Sequence, residues 1–385
     1  MADGAQDIAT FLAAAFDGAG GAVAPPIAQT SLFTFDSYQA FEDRMAGRTK
    51  GALYTRVQNP TVAAFEALMA GAEGGDAAIG FASGMGAISS TLLAFLKPGD
   101  RVACVEHVYP DTYRFFERLL VGFGIEVSYH PVAAFEDDAD LLKGAALAYL
   151  ESPTSVMFQP MDLAKVAAHA RRHGVLTAVD NSWASPVLQN PLQLGIDLCL
   201  HSASKYISGH SDTVAGAVVA RAELIERIRD LTLPLLGAKL APFDAFLLTR
   251  GLRTLSARMA RHQATADLFV QRCAAHPSVS AVHSPPAGSA PGLRGRSGLL
   301  SIELDPGIDI PSLCDRLRLF KLGVSWGGFE SLVLPARIGL AQSGQTNSMR
   351  RFGVPPTLLR LSLGLEDAEE LWADFEHALG RSATK

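Results

Sequence analysis

The sequence predicts an α/β protein with a mostly parallel, doubly wound central sheet and a smaller C-terminal α+β domain. Short apolar runs alternate with helical stretches between residues 77 and 220. This alternation is typical of parallel sheets that helices cover on both faces. One run stops at Asp180, and another ends shortly before Lys205. At 385 residues the chain also exceeds the usual size of one domain.

Seven runs are predicted as strands because they are short, apolar and bounded by turn residues. They cover residues 77–82, 101–106, 125–129, 145–150, 175–179, 197–200 and 214–220. Helical stretches near residues 85–96, 111–122 and 161–173 separate several of them. Ahead of the first strand, Thr61 is predicted to cap a helix that Gly71 ends.

Three segments are expected along the chain. Residues 1–60 form an N-terminal arm, residues 61–250 a large α/β domain, and residues 251–385 a smaller α+β domain. The last segment contains shorter strands at 298–303 and 358–363 and a closing helix near 366–379.

Composition excludes several classes of function. With 48% hydrophobic and 19% charged residues, the chain has the composition of a globular enzyme, and its apolar surplus favours an oligomer. A net charge of −6 without a basic block argues against nucleic-acid binding. No apolar run reaches the length of a membrane span, and the start MADGAQDIAT lacks a secretory pattern.

His201 and His210 have no nearby set of ligands, so no metal site is expected. The cysteines fit reduced core thiols of a cytoplasmic protein: Cys104, Cys199, Cys273 and Cys314.

An acid and an amine are predicted at neighbouring strand ends. In parallel sheets ligands bind beyond the carboxyl ends of the strands, where Asp180 and Lys205 would both lie. Pyridoxal phosphate needs a lysine for its Schiff base and an acid beside its pyridinium nitrogen. Ser202 and Ser204, just before the lysine, are able to bind phosphate oxygens. The alternatives are that Asp180 only caps a turn and that Lys205 is a surface lysine.

A second phosphate-binding element is predicted at residues 83–86, where a strand runs through two glycines into a helix. The same segment raises an alternative. Gly84-x-Gly86-x-x-Ser89, with Glu106 ending the next strand, imitates a dinucleotide fingerprint that lacks its third glycine. A nicotinamide-dependent oxidoreductase therefore stays an alternative at this point.

Four further side chains have two interpretations each. Tyr109 lies just beyond a strand, where an aromatic ring either stacks on a flat ligand or packs in the core. Arg360 lies among apolar residues and needs an anion, either a substrate carboxylate or an acid such as Glu330. Tyr54 and Arg56 precede a helix on an exposed loop, where the residues alone favour two surface side chains over a ligand contact.

Eight segments together resemble one known family: PPIAQTSLF, YTRVQNPT, FASGMGAI, ESPTS, VDNSWASP, HSASKYISGHSD, SWGGFESL and RLSLGLED. They are similar to the cystathionine β-lyase/γ-synthase family of pyridoxal-phosphate enzymes, which have the aspartate-aminotransferase-like fold (fold type I). The similarity runs through nearly the whole chain, and HSASKYISGHSD is its most specific segment.

The resemblance implies a role for each candidate residue. Lys205 would form the Schiff base and move protons, and Asp180 would keep the pyridine nitrogen protonated. Tyr109 would stack on the ring, and Tyr54 and Arg56 would reach the phosphate of the neighbouring subunit, within a homotetramer built from dimers. The phosphate would contact Ser83, Gly84, Met85, Ser202 and Ser204. The substrate would contact Ser155, Ser325, Trp326 and Arg360.

Three departures from the family pattern bear on the reaction. Ser155 replaces an asparagine of the ESPxNP motif, Val324 replaces an acid common in γ-cleaving enzymes, and Asp111 replaces the cysteine typical of methionine γ-lyases. Trp326 resembles the β-lyase version of its turn. We therefore expect a β-eliminating C–S lyase of trans-sulfuration, acting on cystathionine or related cysteine thioethers to give a thiol, pyruvate and ammonia. The alternatives are γ-elimination or γ-replacement, as in cystathionine γ-lyase, cystathionine γ-synthase or O-acyl-homoserine sulfhydrylase, and a non-catalytic binding protein.

Overall fold

Two β-sheets carry the fold in the computed structural model, which describes residues 7–14, 21–344 and 346–380. The larger sheet has the strand order β1-β7-β6-β5-β4-β2-β3. Its strand β7 runs antiparallel to both neighbours, whereas the other pairs are parallel. All seven predicted strands are present: β1 (Ala77–Phe81), β2 (Arg101–Val105), β3 (Glu126–His130), β4 (Leu147–Glu151), β5 (Leu176–Asp180), β6 (Leu198–His201) and β7 (Gly216–Ala220).

The smaller sheet lies in the C-terminal part of the chain and has the order β10-β11-β12-β9-β8. Its strands are β8 (Val279–His283), β9 (Leu299–Leu304), β10 (Lys321–Leu322), β11 (Leu332–Pro335) and β12 (Leu358–Ser362). A separate aromatic core packs against it and includes Phe269, Phe320, Trp372 and Phe375. Both strands predicted for this region are therefore present, as β9 and β12.

Helices cover the sheets. They are α1 (Ile8–Ala14), α2 (Tyr38–Met45), α3 (Pro60–Glu73), α4 (Gly84–Phe95), α5 (Pro110–Phe115), α6 (Val132–Asp137), α7 (Leu163–His173), α8 (Ser185–Leu188), α9 (Ala222–Leu236), α10 (Pro242–Arg253), α11 (Leu255–Ala275), α12 (Ile310–Arg316), α13 (Ala336–Ala341), α14 (Ser348–Arg351) and α15 (Ala368–Gly380). The helix predicted near 111–122 is α5, continued by a π-helical turn over Phe116–Leu120 and a 3-10 turn over Val121–Phe123.

Helix α3 has different ends from those predicted. Asn59, not Thr61, is the N-cap, and its side chain accepts a hydrogen bond of 2.9 Å from the amide of Thr61. The helix passes Gly71 and ends at Gly74, which has a left-handed φ of 73°. Gly71 instead lets α3 approach α1, because a Cβ there would collide with the ring of Phe11.

The three-segment division stays a prediction. Residues 1–6 and 15–20 of the expected N-terminal arm lie outside the described residues. Within the described part of the chain, no helix is long and apolar enough to cross a membrane.

Candidate active site

Three neighbouring strands bring acids and an amine to one edge of the larger sheet. Strands β4 and β5 pair in a register that sets Glu151 beside Asp180, and Asp180 in turn pairs with Leu200 of β6. The chain leaves β6 through a turn in which the amide of Lys205 bonds the carbonyl of Ser202 at 3.1 Å. The predicted pair of Asp180 and Lys205 therefore lies at one edge, with a second carboxylate next to it.

Lys205 is partly buried and held by the turn that precedes β11. Its Nζ donates a hydrogen bond of 2.8 Å to Ser325 Oγ and lies 5.5 Å from the ring centre of Trp326. Burial, followed by the like charge of Arg360, lowers the pKa of Lys205 to about 8, and Asp180 acts in the opposite direction. An amine with such a pKa is partly neutral near physiological pH, so it is able to act as a nucleophile or base.

Asp180 is buried and bound by a serine of the same loop. Its Oδ1 accepts the amide of Ser182 at 2.9 Å and the hydroxyl of Ser182 at 2.6 Å. The hydroxyl oxygen of Ser182 also accepts the amide of Ser202 at 2.6 Å, which ties the loops after β5 and β6 together. Burial raises the pKa of Asp180, while the two Ser182 hydrogen bonds, His201 and Lys205 oppose the rise.

The N-terminus of α4 offers an anion site. Ser83 is the N-cap, and its Oγ accepts the amide of Gly86 at 2.9 Å. Gly84 and Met85 are the first two helical residues, so the helix itself cannot satisfy their amides. A Cβ on Gly84 would lie 2.9 Å from Ser202 Oγ, so only glycine leaves space between helix and serine. The two predicted phosphate elements therefore meet.

Ser204 has a partner of its own. Its Oγ donates to the carbonyl of Ala215 at 3.1 Å and accepts the amide of Ala215 at 2.9 Å. Those bonds connect the lysine turn to the approach to β7. A phosphate contact of Ser204 stays a prediction.

Strand order argues against the nicotinamide alternative. A dinucleotide fingerprint needs its first strand inside a parallel βαβ unit. Here β1 stands at the sheet edge and pairs antiparallel with β7, whereas Glu106 follows β2 at the far side of the sheet. The glycines at 84 and 86 therefore do not belong to a dinucleotide fingerprint, and their phosphate contact stays a prediction.

Tyr109 is not a core residue, because 40% of its surface is exposed. Its hydroxyl donates to Asp111 Oδ2 at 3.0 Å, and its amide donates to Glu151 Oε2 at 2.8 Å. Asp111 also pairs with Arg114, which reaches Gln342 with its other nitrogen. Burial, followed by the charge of Asp111, raises the pKa of Tyr109, so the phenol keeps its proton.

Arg360 reaches the same region from β12. Its Nη2 donates to the carbonyls of Val324 at 2.7 Å and Ser325 at 3.0 Å, and its buried Nε has no hydrogen-bond partner among the described residues. Burial lowers its pKa to about 10. The alternative pairing with Glu330 is wrong for the described residues, since Glu330 instead accepts the hydroxyl of Ser211 at 2.6 Å. An unpartnered guanidinium nitrogen favours a carboxylate ligand.

One acid of this region, Glu151, was missed by sequence reasoning. Glu151 ends β4 as Asp180 ends β5, and that parallel was the available signal. The hydroxyl of Ser155 and Oε1 of Glu151 share a hydrogen bond, so Ser155 contacts a buried acid.

Glu73 forms a buried cluster with Cys199 and His201, whose ligand atoms lie within 4.8 Å of one another. Three such groups were not expected to come together. Glu73 is already satisfied by His201 at 2.6 Å and by Asn181 at 3.0 Å, which explains the cluster without an ion.

Tyr54 and Arg56 lie on the surface. Tyr54 is 45% exposed, and the Arg56 guanidinium lies 5.7 Å from its ring centre. Arg56 also donates to the carbonyl of Pro234 at 3.2 Å. Their contact with a neighbouring subunit stays a prediction.

Comparison with known proteins places these observations in a family. Residues 11–380 match the family described as "Cys/Met metabolism PLP-dependent enzyme". The chain belongs to this family. It is 40% identical to the L-methionine γ-lyase of Pseudomonas putida over 380 residues, which is 94% of each chain. It is 37% identical to the cystathionine γ-synthase of Mycobacterium leprae over 375 residues, covering 94% of this chain and 93% of the relative.

The solved structures agree. The crystal structure of cystathionine γ-synthase from Xanthomonas oryzae pv. oryzae, in complex with aminoacrylate and cysteine, superposes with a TM-score of 0.90 at 36% identity over 98% of both chains. The predicted fold type I and the predicted dependence on pyridoxal phosphate are therefore confirmed.

The residues of this chain fit that cofactor. A lysine with a lowered pKa and a buried acid lie at one edge of the sheet. The cofactor's aldehyde needs such a lysine for its Schiff base, and its pyridine nitrogen needs such an acid beside it. The amides of Gly84 and Met85 suit its phosphate. Gly84 leaves a space open beside Ser202, and the side chain of any larger residue at position 84 would fill it.

The charge of Arg360 makes a testable contribution to Lys205. In cofactor-free protein, we expect labelling of Lys205 by trinitrobenzenesulfonate to be half-maximal near its pKa of about 8. In Arg360→Met the midpoint should move to higher pH, because a like charge has been removed. Peptide mapping of samples labelled at a series of pH values measures the Lys205 midpoint in both proteins. Lys165, exposed on α7, reports the pH dependence of the reagent in the same digest. Identical Lys205 midpoints in the two proteins would contradict the assignment.

Proposed function

We propose that this protein is a γ-eliminating lyase that converts methionine, or a similar uncharged thioether amino acid, into a thiol, 2-oxobutyrate and ammonia. The carrying observation is that four relatives named L-methionine γ-lyase are 37–40% identical over 93–94% of the chain. β-Elimination is the first expectation from the sequence, and the comparisons favour the γ alternative instead.

The α-amino acid part of the substrate would bind beside Lys205. Arg360, with its unpartnered Nε, is proposed to hold the α-carboxylate, and Ser325 to position it. Asp180 would fix the ring nitrogen by its negative charge, and bound pyridoxal phosphate would supply an electron sink for charge left on the α-carbon. These assignments agree with the roles that the resemblance implies.

Proton movement is assigned to two groups. Lys205, whose pKa is lowered to about 8, is proposed to take the proton from Cα. It would pass that proton on to the bound cofactor and, neutral again, take one from Cβ, since γ-chemistry requires both. Tyr109 keeps its proton because burial raises the pKa of its phenol. It is proposed to donate that proton to the departing thiolate sulfur.

The charges around Tyr109 support an uncharged substrate tail. Asp111 and Arg114 form an ion pair, so neither presents an isolated charge. Val324, where γ-cleaving cystathionine enzymes often have an acid, is 78% exposed and apolar. A distal ammonium or carboxylate would find a poor counter-charge here, whereas a methyl thioether needs none.

γ-Replacement is the second candidate. Cystathionine γ-synthases of Mycobacterium tuberculosis are 38% identical over 94% of the chain. Such an enzyme would replace the acyloxy group of an acyl-homoserine with a thiol, release the acyl group as a carboxylate, and form no keto acid.

The keto acid product tests the proposal. We expect methionine to give 2-oxobutyrate in equal amount to the thiol, measured by chromatography of the derivatised keto acids. Lys205→Ala should abolish it, since the proposed base is lost. Pyruvate from cystathionine would instead support β-elimination. A thioether product from an acyl-homoserine and cysteine, with no keto acid from methionine, would support γ-replacement.

Asp111→Asn tests the substrate class. Removing the carboxylate leaves the Arg114 guanidinium unpaired, so turnover of a thioether with a distal carboxylate should improve relative to methionine. Because the pair is partly exposed, we expect a change of about twofold to fivefold in the ratio of kcat/KM values. Glu226→Gln, in another ion pair of a partly buried arginine, is the matched control. An unchanged ratio in Asp111→Asn would contradict the proposed tail selectivity.

We also propose that the active unit is at least a dimer, within a homotetramer, in which Tyr54 and Arg56 complete the neighbour's phosphate site. Apolar side chains around them support this, since Leu32 and Leu235 are exposed.

Subunit mixing tests this assembly. Arg56→Ala and Lys205→Ala proteins should each be nearly inactive. Co-refolded together, they should recover activity in up to about one quarter of the sites, because mixed dimers contain one complete site. As a control, Lys50→Ala is mixed with Lys205→Ala in the same way. This mixture shows how much activity remains when the lost cation is an ordinary surface lysine. Absence of recovery with a correctly mixed dimer would contradict the proposal.

A further inference from the structure

Two buried carboxylates stand side by side at the edge where the cofactor site is proposed. Glu151 and Asp180 are each 9% exposed, and the β4–β5 register pairs them directly. Directly paired positions on neighbouring strands hold the two carboxyl groups close together, and burial strengthens the repulsion between like charges. One of the two acids must therefore carry a proton near neutral pH.

The surroundings decide which acid that is. Asp180 accepts two hydrogen bonds from Ser182 and has Lys205 and His201 as nearby positive or protonatable groups. Among the described residues, no such cation acts on Glu151. Burial, followed by the charge of Asp180, raises the pKa of Glu151 to about 8. Asp180 therefore keeps the charge, and Glu151 keeps the proton.

Within the part of the chain that the structure describes, three further titratable groups near Glu151 keep their protons. Cys104 of β2 faces it, and burial raises the pKa of that thiol. Tyr149, on the same strand, has its pKa raised by burial as well. Tyr109 keeps its phenolic proton and contacts Glu151 through its amide. Asp180 is therefore the charged neighbour that determines the ionisation of Glu151.

Hydrogen bonding locates the proton on Glu151. Its Oε2 accepts the amide of Tyr109 at 2.8 Å, and an amide cannot accept in return. The proton therefore belongs on Oε1, whose partner is the hydroxyl of Ser155. A hydroxyl both donates and accepts, so Ser155 accepts from neutral Glu151 and donates to ionised Glu151.

We propose that Glu151 and Ser155 form a proton-dependent switch that sets the polarity of the Ser155 hydroxyl at the edge of the proposed cofactor and substrate site. With Glu151 neutral, Ser155 has its hydrogen free for an anionic oxygen of a bound ligand. With Glu151 ionised, that hydrogen is taken and only a lone pair remains for the ligand. Ser155 is a positioning and recognition residue in this scheme, and the inference rests on the proposed cofactor site but not on the choice between γ- and β-elimination.

An asparagine at position 155 would not switch. Its amide nitrogen donates at every pH in this range. The serine of this chain therefore couples ligand binding to the proton of Glu151, a coupling that Ser155→Asn should remove.

Infrared spectroscopy tests the protonated acid directly. In holoenzyme containing ¹³C-labelled glutamate, we expect a carboxylic C=O band that disappears as pH rises through the pKa of Glu151, about 8, and is absent in Glu151→Gln. Ser155→Ala should keep the band and shift it to higher frequency, because the acid loses its acceptor. Asp180→Asn should lower the midpoint, because a neighbouring negative charge is removed. Thermal unfolding and the visible absorption of bound cofactor show that each variant folds and loads.

Ligand binding provides the second measurement. The dissociation constant of a non-reactive carboxylate inhibitor should rise as the pH passes the midpoint of Glu151. We expect this rise to be roughly fivefold larger in wild type than in Ser155→Asn. A wild-type protein without a protonated glutamate band near neutral pH would overturn the proposal. A band that does not respond to Ser155→Ala, or a binding profile identical in Ser155→Asn, would overturn it too. Neither readout depends on which keto acid is formed, so the failure of the proposed function would be seen separately.

Discussion

Burial of charge at the carboxyl ends of β4, β5 and β6 is the constraint on which the rest of the structure depends. A carboxylate or ammonium group out of water is destabilising by several kcal/mol unless hydrogen bonds or opposite charges offset the loss of hydration. The chain meets this requirement with groups on adjacent loops. Ser182 donates twice to Asp180, the Tyr109 amide donates to Glu151, and Lys205 bonds Ser325. The parallel sheet makes these bonds available, because its strands end at one edge.

The second sheet completes the site from the other side. It supplies Arg360 from β12, and α11 connects it to the lysine turn. Arg258 of α11 is buried and donates at 2.7 Å to the carbonyls of both Tyr206 and Gly251. A Cβ on Gly209 would collide with this guanidinium, so the glycine allows the lysine turn to close over it. Lys205 is therefore positioned by contacts that come from distant parts of the chain.

Local pattern was sufficient for the strands and for the placement of Asp180 and Lys205 at the same edge of the sheet, since both follow from apolar runs that end in polar residues. What could not be predicted depends on register and on competing hydrogen bonds. The Glu151–Asp180 contact appears only once β4 and β5 are aligned, and Ser204 bonds Ala215 across a turn whose shape the sequence does not reveal. The end of α3 was misplaced because Gly71 serves packing against Phe11 rather than termination.

The choice between β- and γ-chemistry illustrates a deeper limit. Both reactions use the same lysine, acid and ring, and they differ in whether a second proton is removed at Cβ and a leaving group expelled from Cγ. A different residue at a single position, such as 324 or 326, would change the shape or charge near the proposed substrate tail without altering the lysine, the acid or the ring. The surroundings of a carboxyl group also decide its role. Glu151 and Asp180 have equal exposure, yet hydrogen-bond donors and cations keep the charge on Asp180 and the proton on Glu151. The motifs and the family match therefore specify the cofactor, while the hydrogen-bond partners specify what each acid does with its proton.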